Sequence, residues 1–390
     1  GQHVLLGCCT ATRELLRLLG TERLVRFQRR LALTLVEEGG RVTRLACPPL
    51  PAPAHLLAGL LALKGLTWAD RAAVLRAAPR LMRLPGDGLT VEAWLDALGQ
   101  TENLRLRFWR PVATAALNED TRVAGAALWT GVLREAFGGG AAASGLGVPA
   151  AGLSDLYVGP AIRFLEERGG RVLTGCPAER VATARGRAVA VALRDGTELP
   201  CDAAVLAVPH AAAVRLLPAE AVAEEPALAR IGELGASAVV SVNLWFDRPV
   251  TGLDVFGLVG GTVQFVFNKR AQWDPALARG TYLACVLSAA SERAREENDA
   301  VAAAAEEDVR RYLPGALGAR LVRTMVLRER QATFSGRPEV LALRPGPRTA
   351  VPNLALAGDW TATGLPGTIE GAVRSGLAAA RTVWEALPGL

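Results

Sequence analysis

The sequence predicts an α/β protein of two domains, each assembled from stretches that are discontinuous in the chain. Two changes of texture carry that prediction. Helix-spaced apolar residues dominate up to a Gly-, Ala- and Ser-rich stretch at 138–147, and short alternating segments follow. The chain then closes on a strand, a glycine-rich turn and a helix. At 390 residues it exceeds one ordinary core and suits two or three domains.

Residues 11–38 read as helices, because Leu15, Leu16, Leu18 and Leu19 are spaced among Arg13, Glu14 and Arg17 as an amphipathic helix requires. Residues 50–66 are the most apolar segment. Residues 68–82 and 89–98 read as short helices, the second opened by Thr90. Residues 120–137 form another, ended by Gly138-Gly139-Gly140, and residues 153–168 one more, ended by Gly169-Gly170. Strands follow at Arg171–Thr174, Val181–Ala184, Ala188–Arg194 and Ala203–Ala207, with tight turns at Arg185-Gly186 and Asp195-Gly196. A second strand-rich region covers 236–247, 255–268 and 281–289. Its first member alternates Val240, Val242, Leu244 and Phe246 with Ser241, Asn243 and Trp245. Residues 291–313 return to helix and 320–330 to strand. The closing strand is Leu354–Ala357, and the closing helix runs from about Thr368 to Ala386.

Composition excludes several classes of function. Hydrophobic residues make up 51% and charged residues 21%, which is globular rather than disordered. The net charge of +6 is almost all arginine, with lysine only at Lys64 and Lys269. The arginines are scattered and lie near acids, as Arg293 and Arg295 do between Glu292 and Glu297, so no nucleic-acid partner is expected. Six cysteines without a C-x-x-C pair, and three histidines, predict no metal site and no disulfide framework. No run of about 18 apolar residues predicts a spanning helix, and no signal peptide is visible.

The chemistry concentrates at the end of the chain, in Asn353-Leu-Ala-Leu-Ala-Gly358-Asp359-Trp360-Thr-Ala-Thr-Gly364-Leu-Pro366-Gly367-Thr368-Ile369-Glu370-Gly371. A buried strand delivers the backbone to Gly358, where a ligand can approach closely. Asp359 offers a carboxylate to sugar or ribityl hydroxyls. Gly364 and Gly367 keep the turn bare. The helix that begins near Thr368 aims its first N–H groups at the same place, which favours a pyrophosphate or the negative edge of a reduced flavin. A strand–turn–helix with glycines for packing is the plainer reading of the same string.

As a whole the string resembles the C-terminal FAD signature of the amine-oxidase and phytoene-desaturase superfamily. Three further stretches resemble its hydroxysqualene dehydroxylase branch, the squalene-associated FAD-dependent desaturases. They are Gly1-Gln2-His3-Val4-Leu5-Leu6-Gly7-Cys8-Cys9-Thr10, then Phe108-Trp109-Arg110-Pro111 with Ala116-Leu117-Asn118, and Glu329-Arg330-Gln331-Ala332-Thr333-Phe334. The resemblance implies FAD as cofactor, with contacts at Gly358, Asp359, Gly367, Thr368, Ile369 and Glu370. It also implies an adenine-side backbone contact near Val181, and places Gln2 and His3 close to the isoalloxazine. It implies a Rossmann-like, amine-oxidase-type FAD-binding domain from 1–10, 150–215 and 340–390, and an α+β substrate domain from 11–149 and 216–339.

The resemblance also implies a G-x-G-x-x-G unit, and these residues hold none. Gly145-Leu-Gly147-Val-Pro-Ala150 comes nearest, but it follows a loop and contains Pro149. The expectation is therefore an N-terminally truncated FAD domain, so that these 390 residues alone bind FAD poorly. The implied reaction is reductive dehydroxylation of hydroxysqualene, a C30 isoprenoid, to squalene in hopanoid biosynthesis. The implied location is the cytoplasm, with peripheral contact at the inner face of the plasma membrane. The leaving hydroxyl needs a proton, for which His3 is the candidate, although a solvated terminal histidine reads equally well. The segment 51–68 reads either as an interfacial helix that admits lipid or as a buried helix of the substrate domain. The rivals are a carotenoid or squalene desaturase that moves hydride the other way, and a non-catalytic relic.

Overall fold

A computed structural model describes residues 2–86, 88–269 and 280–387. Four sheets organise it. The largest has seven strands in the order β14-β10-β13-β12-β11-β3-β4. In chain order these are β3 (Ala32–Val36), β4 (Val42–Ala46), β10 (Ser237–Phe246), β11 (Val255–Leu258), β12 (Phe265–Asn268), β13 (Thr281–Leu287) and β14 (Leu321–Thr333). Every neighbour pair is antiparallel except β3 with β11, which is parallel.

The alternation expected in 236–247 decides how this sheet packs. Val240, Val242, Leu244 and Phe246 are buried against the helix Asn298–Tyr312, which contributes Val301, Ala305 and Val309 to the same core. The opposite face carries Ser241, Asn243 and Trp245. Trp245 stacks on Tyr282 with ring centroids 4.4 Å apart, and the Tyr282 hydroxyl donates to Asn243 Oδ1 at 2.8 Å. At the far side of that face, Leu33 and Leu35 of β3 and Phe265 of β12 meet a helical block.

The first helix, α1 (Thr10–Leu18), shares a small core with Leu5, Val25 and Leu156, and the helical block contains α2 (Ala54–Ala62), α3 (Trp68–Ala77), α4 (Val91–Ala97), α5 (Arg110–Leu117) and α6 (Ala126–Gly138). Thr67 and Asp70 form a reciprocal capping box at the start of α3. Thr90 caps α4 as expected. Trp94, Trp109 and Trp129 meet edge to face, with centroids 6.3 and 6.4 Å apart, and anchor the block.

A three-stranded sheet joins β1 (Leu5–Leu6), β5 (Leu146–Pro149) and β2 (Val25–Phe27). The strands β6 (Ala178–Ala184), β7 (Arg187–Leu193) and β8 (Glu198–Pro200) form a meander, with Arg185 and Gly186 both at positive φ in its first turn. β9 (Ala204–Leu206) and β15 (Leu354–Leu356) pair in parallel, and Asn353 locks their start by donating to Ala188 O and Asp202 O. The last helix, α7 in the numbering used here, is Ile369–Ala386.

Three expectations need correction. Residues 25–36 are not helical but form β2 and β3, because Leu31, Leu33 and Leu35 alternate inward with period two. Arg171–Thr174 is irregular rather than a strand, and Val172 and Leu173 stay exposed. The loop expected up to residue 147 already contains the start of β5, which pairs Gly147 with both Leu5 and Phe27.

Candidate functional site

The closing turn leaves β15 at Gly358 and re-enters regular structure at Thr368. Gly358 sits at φ +148°, and a Cβ there would stand 2.3 Å from Trp360 Nε1, so only glycine fits. Trp360 is buried beneath the turn and donates from Nε1 to Val208 O at 2.9 Å. Ser375 on α7 accepts from Gly358 N at 3.0 Å and shares a 2.6 Å hydrogen bond with Thr361.

Arg344 holds the middle of the turn, and the sequence reading missed it. Its guanidinium is buried. It donates to Asp359 O at 3.0 Å, Trp360 O at 3.2 Å, Leu365 O at 2.6 Å and Thr363 Oγ1 at 3.1 Å, and also to Thr361 O. Its plane lies over Phe334, 4.7 Å from the ring centroid. Burial lowers its pKa to about 10, against the pull of the Asp359 charge. A lone arginine before Pro345 carries no local signal of this role.

Asp359 is half-buried. Burial raises its carboxyl, opposed by the Arg344 charge and by the backbone N–H groups of Asp359 and Trp360. No side-chain donor reaches its oxygens among the described residues. Gly367 is wedged beside it: a Cβ there would meet Thr333 Cβ at 2.8 Å and Asp359 Oδ2 at 3.0 Å. Thr368 caps α7 by accepting from Gly371 N at 3.1 Å. The N–H groups of Ile369 and Glu370 have no acceptor among the described residues. A half-buried carboxylate therefore shares a glycine-lined turn with an open helix N-terminus. That donor set fits the hydroxyls and anionic edge of a flavin.

Three of the four stretches that carry the resemblance meet here. Asn118, left-handed at the end of α5, donates to Thr333 Oγ1 at 3.0 Å and accepts from Ala289 N at 2.9 Å. Thr333 in turn presses on Gly367. The ALN element, the end of β14 and the closing turn are thus in one contact chain.

Glu370 meets the turn with its backbone and the opening helix with its side chain. Its carboxylate is turned away toward α1, where Oε1 accepts from Ala11 N at 3.2 Å and Oε2 accepts from Thr12 N at 2.8 Å and Thr12 Oγ1 at 2.7 Å. Arg374 pairs with it at 2.8 Å and with Glu135 at 3.1 Å. What Glu370 offers the turn is its backbone N–H. Its side chain supplies the cap that Cys9, the residue before α1, does not.

The opening segment reaches the large sheet. Gln2 is half-buried, and its Oε1 accepts from the buried Lys269 ammonium at the end of β12. Burial lowers the Lys269 pKa to about 7. His3 is exposed. Val181 is buried in β6 opposite Val191, on the strand that forms the outer edge of the meander. The segment 51–68 contains α2, which turns His55, Leu56 and Leu60 into the core, while Leu50 just before the segment and Trp68, the first residue of α3, are exposed. Among the described residues, no helix is long and apolar enough to cross a membrane.

With this geometry in place, comparison with known proteins is informative. The family described as Flavin containing amine oxidoreductase matches residues 1–384. The hydroxysqualene dehydroxylase of Sinorhizobium fredii is 37% identical over 278 residues, which is 70% of this chain and 61% of that protein. The chain therefore spans less than two thirds of that relative. The zeta-carotene desaturase of a Synechocystis species is 24% identical over 424 residues, covering 98% of this chain and 86% of that protein. Among solved structures, an oxidoreductase from Methanosarcina mazei superposes with a TM-score of 0.72 at 16% identity, over 97% of this chain and 87% of that one.

Proposed function

Since the chain belongs to the family of flavin containing amine oxidoreductases, we propose that it serves an FAD-dependent reductive dehydroxylation of hydroxysqualene to squalene. The observation that carries this reading is the turn from Gly358 to Glu370, whose half-buried carboxylate and open helix end suit a flavin. The 37% identity to a hydroxysqualene dehydroxylase supports the choice of substrate.

In this reading Asp359 accepts hydrogen bonds from the ribityl or ribose hydroxyls. Gly358 and Gly367 let the ligand lie against backbone. The N–H groups of Ile369 and Glu370 face its negative edge. Val181 offers backbone on the adenine side, and Gln2 borders the ring system. The flavin supplies the hydride chemistry, and the chain supplies orientation and a proton. His3 is one candidate for the proton source, and Lys269 is a second. It is buried, poised near neutrality and held by Gln2. Residues 1–10, 150–215 and 340–390 make up the flavin-side unit, and 11–149 with 216–339 the substrate side. The half-buried Trp245–Tyr282 stack and Phe265 suit an apolar isoprenoid. Leu50, ahead of α2, and Trp68, at the start of α3, are exposed and are where the protein would touch a bilayer.

The test is conversion of hydroxysqualene to squalene by the chain supplied with FAD and a reductant, followed by mass spectrometry. With FAD in large excess, to offset the weak binding expected of these residues alone, squalene formation that is lost in Asp359→Ala is expected. Turnover of zeta-carotene without squalene formation would favour the second reading, a carotenoid desaturase. That reading rests on the longer but weaker match to the Synechocystis enzyme. Flotation with liposomes, compared with a Leu50→Glu, Trp68→Glu variant, tests the membrane contact.

A further inference from the structure

The outermost strand of the large sheet, β14, pairs only with β10 among the described residues. Its other edge offers a second row of backbone donors and acceptors along Leu321–Thr333. Side chains on both faces of this edge are bare. Val322 is 59% exposed and Leu327 47%, and Arg323, Thr324, Glu329 and Arg330 are exposed as well. An open edge of this length is a template for another strand unless bulges or repelling charges blunt it.

The irregularities lie only toward its ends. The register with β10 slips between Trp245 and Phe246, which oppose Arg323 and Leu321. It slips again between Ser237 and Val239, which oppose Thr333 and Glu329. Between the slips, Arg323–Glu329 run in unbroken register with Val239–Trp245. This regular stretch is centred on Val326.

Its charge is centred there too. A second copy can pair with β14 antiparallel only if opposing residues share both a face and an edge, so the two-fold axis must pass through a residue. With the axis at Val326, Arg323 opposes Glu329 of the second copy and Glu329 opposes the other Arg323. Met325 opposes Leu327, and Val326 opposes itself. An axis at Met325 would set Arg320 against Arg330, and one at Arg328 would set that residue against itself, both like-charge pairs. An axis at Leu327 leaves Glu329 opposite Met325. Neither Arg323 nor Glu329 has an ion-pair partner among the described residues, and the Arg323 guanidinium lies over the Trp245 ring, 5.0 Å from its centroid. On the other face, Val326 already packs against the core beneath the helix Asn298–Tyr312, so its self-pairing joins that core to its counterpart.

We propose that two copies of the chain join through β14, antiparallel about Val326, into one sheet of twice seven strands. The contact is isologous and uses up the β14 edge of each copy, so it closes as a dimer. Backbone hydrogen bonds supply the attraction, and the two Arg323–Glu329 pairs select the register. This inference is independent of the flavin reading.

The test is the mass of the full chain by analytical ultracentrifugation over a range of concentrations. Twice the mass of one chain is expected at the upper end, falling toward one chain on dilution. Glu329→Arg sets like charges opposite each other at both ends of the contact, and Arg323→Glu does so with the sign reversed. Each variant alone is expected to dimerise at least about tenfold more weakly. Mixed in equal amounts, the two should form a heterodimer of near wild-type strength, because every charge again meets its opposite. The chain carrying both reversals should also dimerise. Both side chains are exposed, so the fold should survive, which circular dichroism checks. A chain that is monomeric at every concentration overturns the proposal. So does a dimer that either single reversal leaves intact, and so does failure of both the mixture and the double reversal to recover.

Discussion

Two buried ions hold the candidate site, and they work in opposite ways. Arg344 is a cation that donates to the carbonyl oxygens of a turn 15 to 21 residues further along the chain. Glu370 is an anion that accepts from the first turn of a helix 358 and 359 positions away. Arg344 shapes the turn itself. Glu370 fastens the helix behind that turn to the opening segment of the chain. Arg344 is satisfied largely by backbone carbonyls, whereas Glu370 divides its bonds among two backbone N–H groups, the Thr12 hydroxyl and the Arg374 cation. The comparison teaches that the shape of the site is a local property, whereas its attachment to the rest of the molecule is long-range.

The strongest way to break this contrast is Arg344→Met. The turn then loses donors to several buried carbonyls, and a drop of about 3–5 kcal/mol is expected in chemical denaturation. Arg344→Lys should recover only part of it, since an ammonium lacks the planar fork that spans these acceptors. An unchanged midpoint in Arg344→Met would mean that the turn supports itself. Glu370→Gln should cost about 1.5–3 kcal/mol, because hydrogen bonds to a charged acceptor become bonds to a neutral one. Hydrogen exchange locates this effect: Ala11 and Thr12 should lose protection while 361–365 keep theirs.

A third buried ion, Lys269, sharpens the contrast through pH. Its folded pKa of about 7 lies below its ordinary 10.5, so between these values the unfolded chain binds a proton that the folded chain does not. Stability should therefore rise across that interval, and the rise attributable to this residue should vanish in Lys269→Met. The smallest effect belongs to Glu135→Gln. Glu135 is exposed and Arg374 keeps Glu370, so a change below about 1 kcal/mol is expected.

Legibility in the sequence followed the same division. The closing strand, turn and helix were readable because each rests on neighbours in the chain: the Leu354 strand, the cap at Thr368, the amphipathic run behind it. The meander with its Arg185-Gly186 turn and the alternation along β10 were readable for the same reason. Residues 25–36 were not, since a leucine-rich stretch among charges fits either period. What decided for strand was pairing with β4 and a parallel partner, β11, more than two hundred positions away. Arg344 was hidden because its acceptors are backbone carbonyls, which have no letter in a sequence. The Glu370 side-chain contact with α1 was hidden, because the helix it caps lies at the other end of the chain. Residues 270–279 fall outside the described residues.

The bond between Thr12 and Glu370 also sets a timetable. A chain made from its N-terminus exposes the start of α1 long before Glu370 leaves the ribosome. Until then the first-turn N–H groups of that helix have only water. Contacts of such sequence separation form late, after the loop between them has been closed. Removing residues 370–390 should therefore injure both ends of the chain at once. A nascent chain stalled just short of Glu370 should leave α1 frayed while the seven-stranded sheet is already whole.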